Sequence, residues 1–120
     1  MDDKPVDWLH GEANELLGRG ICIVPSEPVT GTYVADIHYA SAPDATALQW
    51  LRPEQTNGKT QPFLFTQSQA ILARTWIPCQ DGPGVRFTYH ASVKVPSGLM
   101  AVMSATNPTT IAEDGVYEFD

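Results

Sequence analysis

Val85-Arg-Phe-Thr-Tyr-His-Ala-Ser-Val-Lys-Val95 is the stretch that decides the fold class. Val85, Phe87, Tyr89, Ala91, Val93 and Val95 alternate with Arg86, Thr88, His90, Ser92 and Lys94. Successive side chains of an extended chain point to opposite faces, so this alternation gives one apolar face and one wet face. It predicts a half-buried strand of an antiparallel sheet. Pro96-Ser-Gly98 then turns the chain, and Leu99-Met-Ala-Val-Met103 predicts a second strand, apolar on both faces, closing a hairpin.

Working outward, Thr32–Tyr39 repeats the alternation more loosely, with Tyr33, Ala35, Ile37 and Tyr39 on one face. Ile21-Cys-Ile-Val24 is a short apolar run closed by Pro25 and Pro28, and Glu27-Pro-Val-Thr-Gly31 can turn it into the Thr32 strand. Val116–Phe119 predicts a final strand after the Asp114-Gly115 turn signal. Helix has weaker support. Its best candidates are Val6–Leu17, interrupted by Gly11 and Asn14, and Ser68–Trp76. Ten prolines and nine glycines, spread along 120 residues, favour short strands and turns. The expected fold is a single mainly β domain over residues 1–120: an antiparallel or mixed β-sandwich, or saddle-like β domain, with one or two short helices.

The composition is that of a globular chain, with 42% apolar and 18% charged residues. No apolar run approaches the ~18 residues of a membrane span, so no membrane partner is expected. The opening Met1-Asp-Asp-Lys4 has neither the basic nor the apolar region of a signal peptide, and the expected compartment is the cytoplasm. Net charge is −7, which argues against nucleic acid as a partner. The acidity sits at the ends: Asp2, Asp3, Asp7, Glu12 and Glu15 against Lys4, then Glu113, Asp114, Glu118 and Asp120. Solvated termini explain such a distribution better than an acidic docking face. Cys22 and Cys79 set no disulfide framework and read as two buried thiols rather than a bridge.

Catalytic chemistry finds little to work with. His10, His38 and His90 are far apart in sequence, and His10-Gly-Glu12 lacks the second histidine of a zinc helix. Neither cysteine adjoins a histidine or a basic cluster that would activate a thiolate. There is no Gly-x-Ser-x-Gly elbow, and Asp81-Gly-Pro-Gly84 is a turn rather than a phosphate loop. The carboxylates pair only in the terminal clusters, where exposure gives no separation of acid and base roles.

One segment resists a purely structural account. Pro62-Phe-Leu-Phe-Thr-Gln-Ser-Gln-Ala-Ile-Leu-Ala-Arg-Thr-Trp-Ile-Pro-Cys-Gln-Asp81 mixes aromatic, amide and apolar residues without a clean period. Gln67 and Gln69 are two residues apart, so in an extended segment both face the same way. Each amide either satisfies neighbouring backbone or meets a ligand. Residue chemistry alone leaves both open.

Ala47-Leu-Gln-Trp-Leu-Arg-Pro-Glu-Gln-Thr-Asn-Gly-Lys59, Pro62-Phe-Leu-Phe-Thr-Gln-Ser-Gln-Ala-Ile71 and Ile77-Pro-Cys-Gln-Asp81, in this order and spacing, resemble the N-terminal domain of zinc aminopeptidases of the leukotriene A4 hydrolase type, within the gluzincins. The resemblance runs from about Leu17 to Phe119. It implies a non-catalytic β domain that lies against a helical catalytic domain and lends a loop to the active site. By the Gln-x-Gln-Ala motif, Gln69 would contact the N-terminal part of a peptide substrate, with Gln67 in the same loop. Ala70 would line the first specificity pocket with its backbone. Many broader aminopeptidases have a glutamate at the Gln69 position, so the neutral amide places this chain on the leukotriene-hydrolase-like side.

Several family features are absent: the Gly-x-Met-Glu-Asn motif, the His-Glu-x-x-His zinc helix with its distant glutamate, and the oxyanion tyrosine. No cofactor is therefore expected in this chain, and zinc is expected in the full-length enzyme it resembles. The expected partners are the catalytic domain, a peptide substrate held through it, and a second copy of the chain paired through an uncovered strand edge or through the face meant for the catalytic domain. The alternative is a stand-alone β-sandwich interaction or structural module without catalytic activity.

Overall fold

The computed structural model describes residues 5–120. Asp2, Asp3 and Lys4, counted above in the acidic N-terminal cluster, lie outside them. The chain divides into two compact units, Met1–Val85 and Arg86–Asp120. The architecture is mainly β. Among the described residues, six strands pair as three two-stranded antiparallel sheets, joined by irregular segments and two short 3-10 turns, Pro53–Gln55 and Ala73–Thr75.

In the first unit, β1 (Asp7–Asn14) pairs with β2 (Gly18–Val24), Asp7 opposite Val24 and Asn14 opposite Gly18. The helix expected over Val6–Leu17 is instead this strand and its turn. The local reason is Asn14, whose Oδ1 accepts the backbone N–H groups of Leu16 and Leu17, each at 2.9 Å. Gly18 follows at φ +75°, a left-handed value that costs glycine nothing. An Asx turn followed by a left-handed glycine reverses the chain where a helix would have continued. The apolar run Ile21–Val24 is a strand as expected, but its partner is β1. The Thr32 segment, expected to pair with it, has no ladder.

Strand β3 (Leu48–Leu51) pairs with β4 (Phe63–Thr66), Leu48 opposite Thr66 and Leu51 opposite Phe63. Between them the Pro53–Gln55 turn is closed by the Gln55 side chain, whose Oε1 accepts the Arg52 N–H at 3.0 Å. Ala45 and Ala47, which lead into β3, are the buried apolar residues of this unit.

In the second unit, β5 (Ala91–Lys94) pairs with β6 (Val116–Phe119), Ala91 opposite Phe119 and Lys94 opposite Val116. The long strand expected over Val85–Val95 is thus shortened to its last third, and Leu99–Met103 forms no strand. The expected inward residues Ala91, Val93 and Val95 do face the core, which is built on Ala101, Tyr117 and Phe119. Side chains take backbone groups at both ends of the irregular segment Leu99–Met103: Asn107 Oδ1 accepts the Met103 N–H at 2.8 Å, and Tyr117 acts at Leu99. The Tyr117 hydroxyl donates to the Leu99 carbonyl at 2.8 Å and accepts the Ala112 N–H at 2.9 Å, taking backbone groups a ladder would use. The final strand Val116–Phe119 is as expected.

Little of this apolar surface is covered. Trp8, Leu9, Trp50 and Phe63 are all more than half exposed, at 57%, 62%, 60% and 51%. The accessible surface is 10505 Å². Two compact units of these sizes, counted separately, would expose about 7,500 Å². Exposed apolar residues contribute to the excess both on strands, such as Trp8 and Trp50, and in irregular segments, such as Tyr33 and Phe87.

Candidate functional site

The Gln67–Ala70 segment leaves the end of β4 and is held from inside the first unit. Fully buried Ala47 grips both arms of the loop with its own backbone. Its carbonyl accepts the Gln67 N–H at 2.9 Å, and its N–H donates to Thr75 Oγ1 at 3.1 Å. The Thr75 hydroxyl donates in turn to the Leu72 carbonyl at 2.8 Å. Within the loop, the Trp76 indole N–H donates to Ser68 Oγ at 3.1 Å, and the Leu72 N–H donates to the Ser68 carbonyl at 2.9 Å. The helix expected over Ser68–Trp76 is therefore this braced loop, with one 3-10 turn at Ala73–Thr75.

Gln67, Gln69 and Ala70 are all exposed. Gln67 Oε1 accepts the Gln69 N–H at 3.0 Å, so part of the Gln67 amide serves the backbone, and its NH2 group makes no hydrogen bond among the described residues. The Gln69 side chain takes part in none of the hydrogen bonds among the described residues. The peptide bond joining Gln69 to Ala70 is cis. The hydrogen bonds of the loop run through Ser68, Leu72, Thr75 and Trp76, while Gln69 and Ala70 are exposed. A neutral amide so presented can accept from an ammonium or peptide N–H and donate to a carbonyl.

The loop continues into a second brace that sequence reasoning missed. Arg74 Nε lies 3.2 Å from Asp81 Oδ2, and the same oxygen accepts the Arg74 backbone N–H at 3.0 Å. Arg74 Nη2 donates to the Asp81 carbonyl at 2.7 Å, and Nη1 donates to the Leu17 carbonyl at 3.3 Å. The signal was available: an arginine and an aspartate flanking Ile77-Pro78, close enough in sequence to close a loop on themselves. Next to this pair, an open groove of about 930 Å³ is lined by Arg19, Tyr39, Arg74, Trp76, Cys79 and Asp81 among others. Gln67, Gln69 and Ala70 are not part of its lining.

The cysteines differ from their expected burial. Cys22 is exposed and Cys79 half-buried, and both are free thiols. The Cys79 pKa is pushed up, first by burial, then by the charge of Asp81, with Arg74 opposing. In the second unit the outward face of β5 and β6 carries a cluster. His90 Nδ1 lies 2.5 Å from Asp120 Oδ1, His90 Nε2 lies 3.4 Å from Glu118 Oε2, and the Ser92 hydroxyl donates to Glu118 Oε1 at 2.6 Å. Sequence reasoning left His90 without a partner, because its neighbours depend on which strand pairs with β5.

Among the described residues, no three of His, Cys, Asp and Glu converge as metal ligands. No helix of the described residues is long and apolar enough to cross a membrane.

The family model for the peptidase M1 N-terminal domain matches residues 2–119. The chain belongs to this family. Leukotriene A-4 hydrolase of Xenopus laevis is 49% identical over 91 residues, covering 72% of this chain and 15% of the relative. Aminopeptidase B of Rattus norvegicus is 42% identical over 105 residues, 86% of this chain and 16% of the relative. Leucine aminopeptidase 2 of Chaetomium globosum is 44% identical over 123 residues, 99% of this chain and 20% of the relative. The M1 N-terminal chain therefore spans a fifth or less of the length of these relatives. Its mainly β structure and its membership together bear out the family resemblance carried by the Leu48-Gln-Trp-Leu51 and Gln67-Ser-Gln-Ala70 blocks.

Proposed function

We propose that this chain serves as the non-catalytic N-terminal domain of an M1 zinc aminopeptidase and lends the Gln67–Ala70 loop to peptide binding. The observation that carries the reading is the loop itself: its internal bonds are spent on Ser68, Leu72, Thr75 and Trp76, and the Gln69 amide is left exposed. In this reading Gln69 Oε1 accepts a hydrogen bond from the N-terminal part of a peptide, and the Ala70 backbone borders the first residue of that peptide. Gln67 holds the Gln69 backbone with its side-chain carbonyl oxygen. Zinc, which polarises a carbonyl and activates water in enzymes of this kind, finds no cluster of three ligands among the described residues, and this reading assigns it to the parent's catalytic domain. That domain is also the expected occupant of the uncovered apolar strand faces.

Those same faces suit a second reading, a stand-alone β interaction or structural module. Transcript sequencing on both sides of the reading frame separates the two. A frame that continues into a His-Glu-x-x-His helix supports the aminopeptidase reading. A stop directly after Asp120, with no partner gene encoding that helix, overturns it.

A further inference from the structure

We propose that the Trp76–Ser68 hydrogen bond is a positioning device that fixes where Gln69 and Ala70 meet a peptide substrate; this rests on the reading of the loop given above. Ser68 sits between the two glutamines, so a shift of its backbone is passed directly to both, and a bond to its Oγ restrains that shift. The Trp76 indole N–H holds that oxygen at 3.1 Å from eight residues away, across the base of the loop. Ser68 offers its carbonyl to the Leu72 N–H as well, so side chain and backbone of one residue are tied to the returning arm. Ala47 sets the distance between the two arms through Gln67 and Thr75. Ser68 and Trp76 are half-buried, whereas Gln67, Gln69 and Ala70 are exposed. An indole N–H has one donor and no acceptor, so a half-buried tryptophan is suited to a single directed bond. Without it the Gln69–Ala70 tip keeps its two ends but loses its orientation.

The test uses Trp76→Phe, which removes the N–H and keeps an aromatic ring, together with Ser68→Ala and the double variant. Amide exchange in the 120-residue chain is read by NMR at Leu72 and Gln69, whose N–H groups bond within the loop, and along the β3–β4 ladder as an internal standard. Peptide kinetics are measured in the full-length enzyme bearing the same changes, beside Gln69→Ala. The proposal expects faster exchange at Leu72 and Gln69 with the ladder unchanged. KM should rise about threefold to tenfold, the effect of one net hydrogen bond, with kcat within about twofold. The double variant should be no worse than either single one, since both remove the same bond.

Exchange that accelerates equally in the ladder means general destabilisation and overturns the positioning role. So does an unchanged KM in Trp76→Phe when Gln69→Ala raises it. If the loop amides loosen but Gln69→Ala leaves KM unchanged, the substrate reading of the loop is overturned instead.

Discussion

Ala47→Leu is the substitution against which the architecture of the loop can be judged most severely. Ala47 has 0% of its surface exposed, so three added carbons have no space to enter without displacing neighbours. Overpacking of this kind costs about 1–3 kcal/mol. The displacement also acts on backbone groups that bind Gln67 at 2.9 Å and Thr75 at 3.1 Å, and losing either adds roughly 0.5–1.5 kcal/mol. The expected destabilisation is therefore about 2–4 kcal/mol. With a urea slope of about 2 kcal/mol per molar, the unfolding midpoint falls by about 1–2 M. Trp50 and Trp76 flank the site, so intrinsic fluorescence during urea unfolding is a suitable assay. A loss under about 0.5 kcal/mol, the range of an ordinary surface change, would refute the claim that Ala47 clamps the loop from a closed position.

Other perturbations give equally direct outcomes. The His90 pKa is raised, first by its hydrogen bond to Asp120 and then by that carboxylate's charge, with Glu118 adding and desolvation opposing. The folded-state value exceeds the unfolded one, so the stabilisation is complete below about 6.5 and is lost as the pH rises through the raised folded value. NMR titration of the His90 ring should place its midpoint above that of His90 in the Asp120→Asn variant; equal midpoints would contradict the contact. Gly115→Ala should unfold the second unit by more than about 2 kcal/mol, because Gly115 holds φ +71° and its new Cβ would strike the Val95 carbonyl oxygen. Loss of dispersion in the Phe119 ring resonances would report this, and native-like spectra would contradict it. Limited alkylation followed by mass mapping should label exposed Cys22 before Cys79, whose thiolate is disfavoured by burial and by Asp81; the reverse order would count against the placement.

The β class was legible in the sequence because period-two alternation survives wherever one face meets a core. Ala91, Val93 and Val95 turn inward as their spacing required, and Val116–Phe119 is the strand its turn signal announced. Pairing was not legible. A hairpin from Val85–Val95 to Leu99–Met103 is the shortest closure, but the Tyr117 hydroxyl occupies the Leu99 and Ala112 backbone, and β6 takes the place beside β5. The helix expected over Val6–Leu17 failed for a readable reason, since Asn14 and Gly18 have the spacing of an Asx turn closed by a left-handed glycine. For the candidate site, Gln67, Gln69 and Ala70 could be named from their motif. The groups that hold them could not. Ala47 acts through its backbone, and Ser68, Thr75 and Trp76 act through contacts that exist only once the loop has closed.

The central claim, that this domain offers Gln69 to a peptide substrate, is tested most directly by KM for peptide substrates in the full-length enzyme carrying Gln69→Ala and Gln69→Glu. The account predicts that Gln69→Ala raises KM about threefold to tenfold, as expected for one lost hydrogen bond. Gln69→Glu should lower KM for peptides with a free α-ammonium, because a charged acceptor strengthens the same contact. A KM unchanged in both variants would contradict the claim.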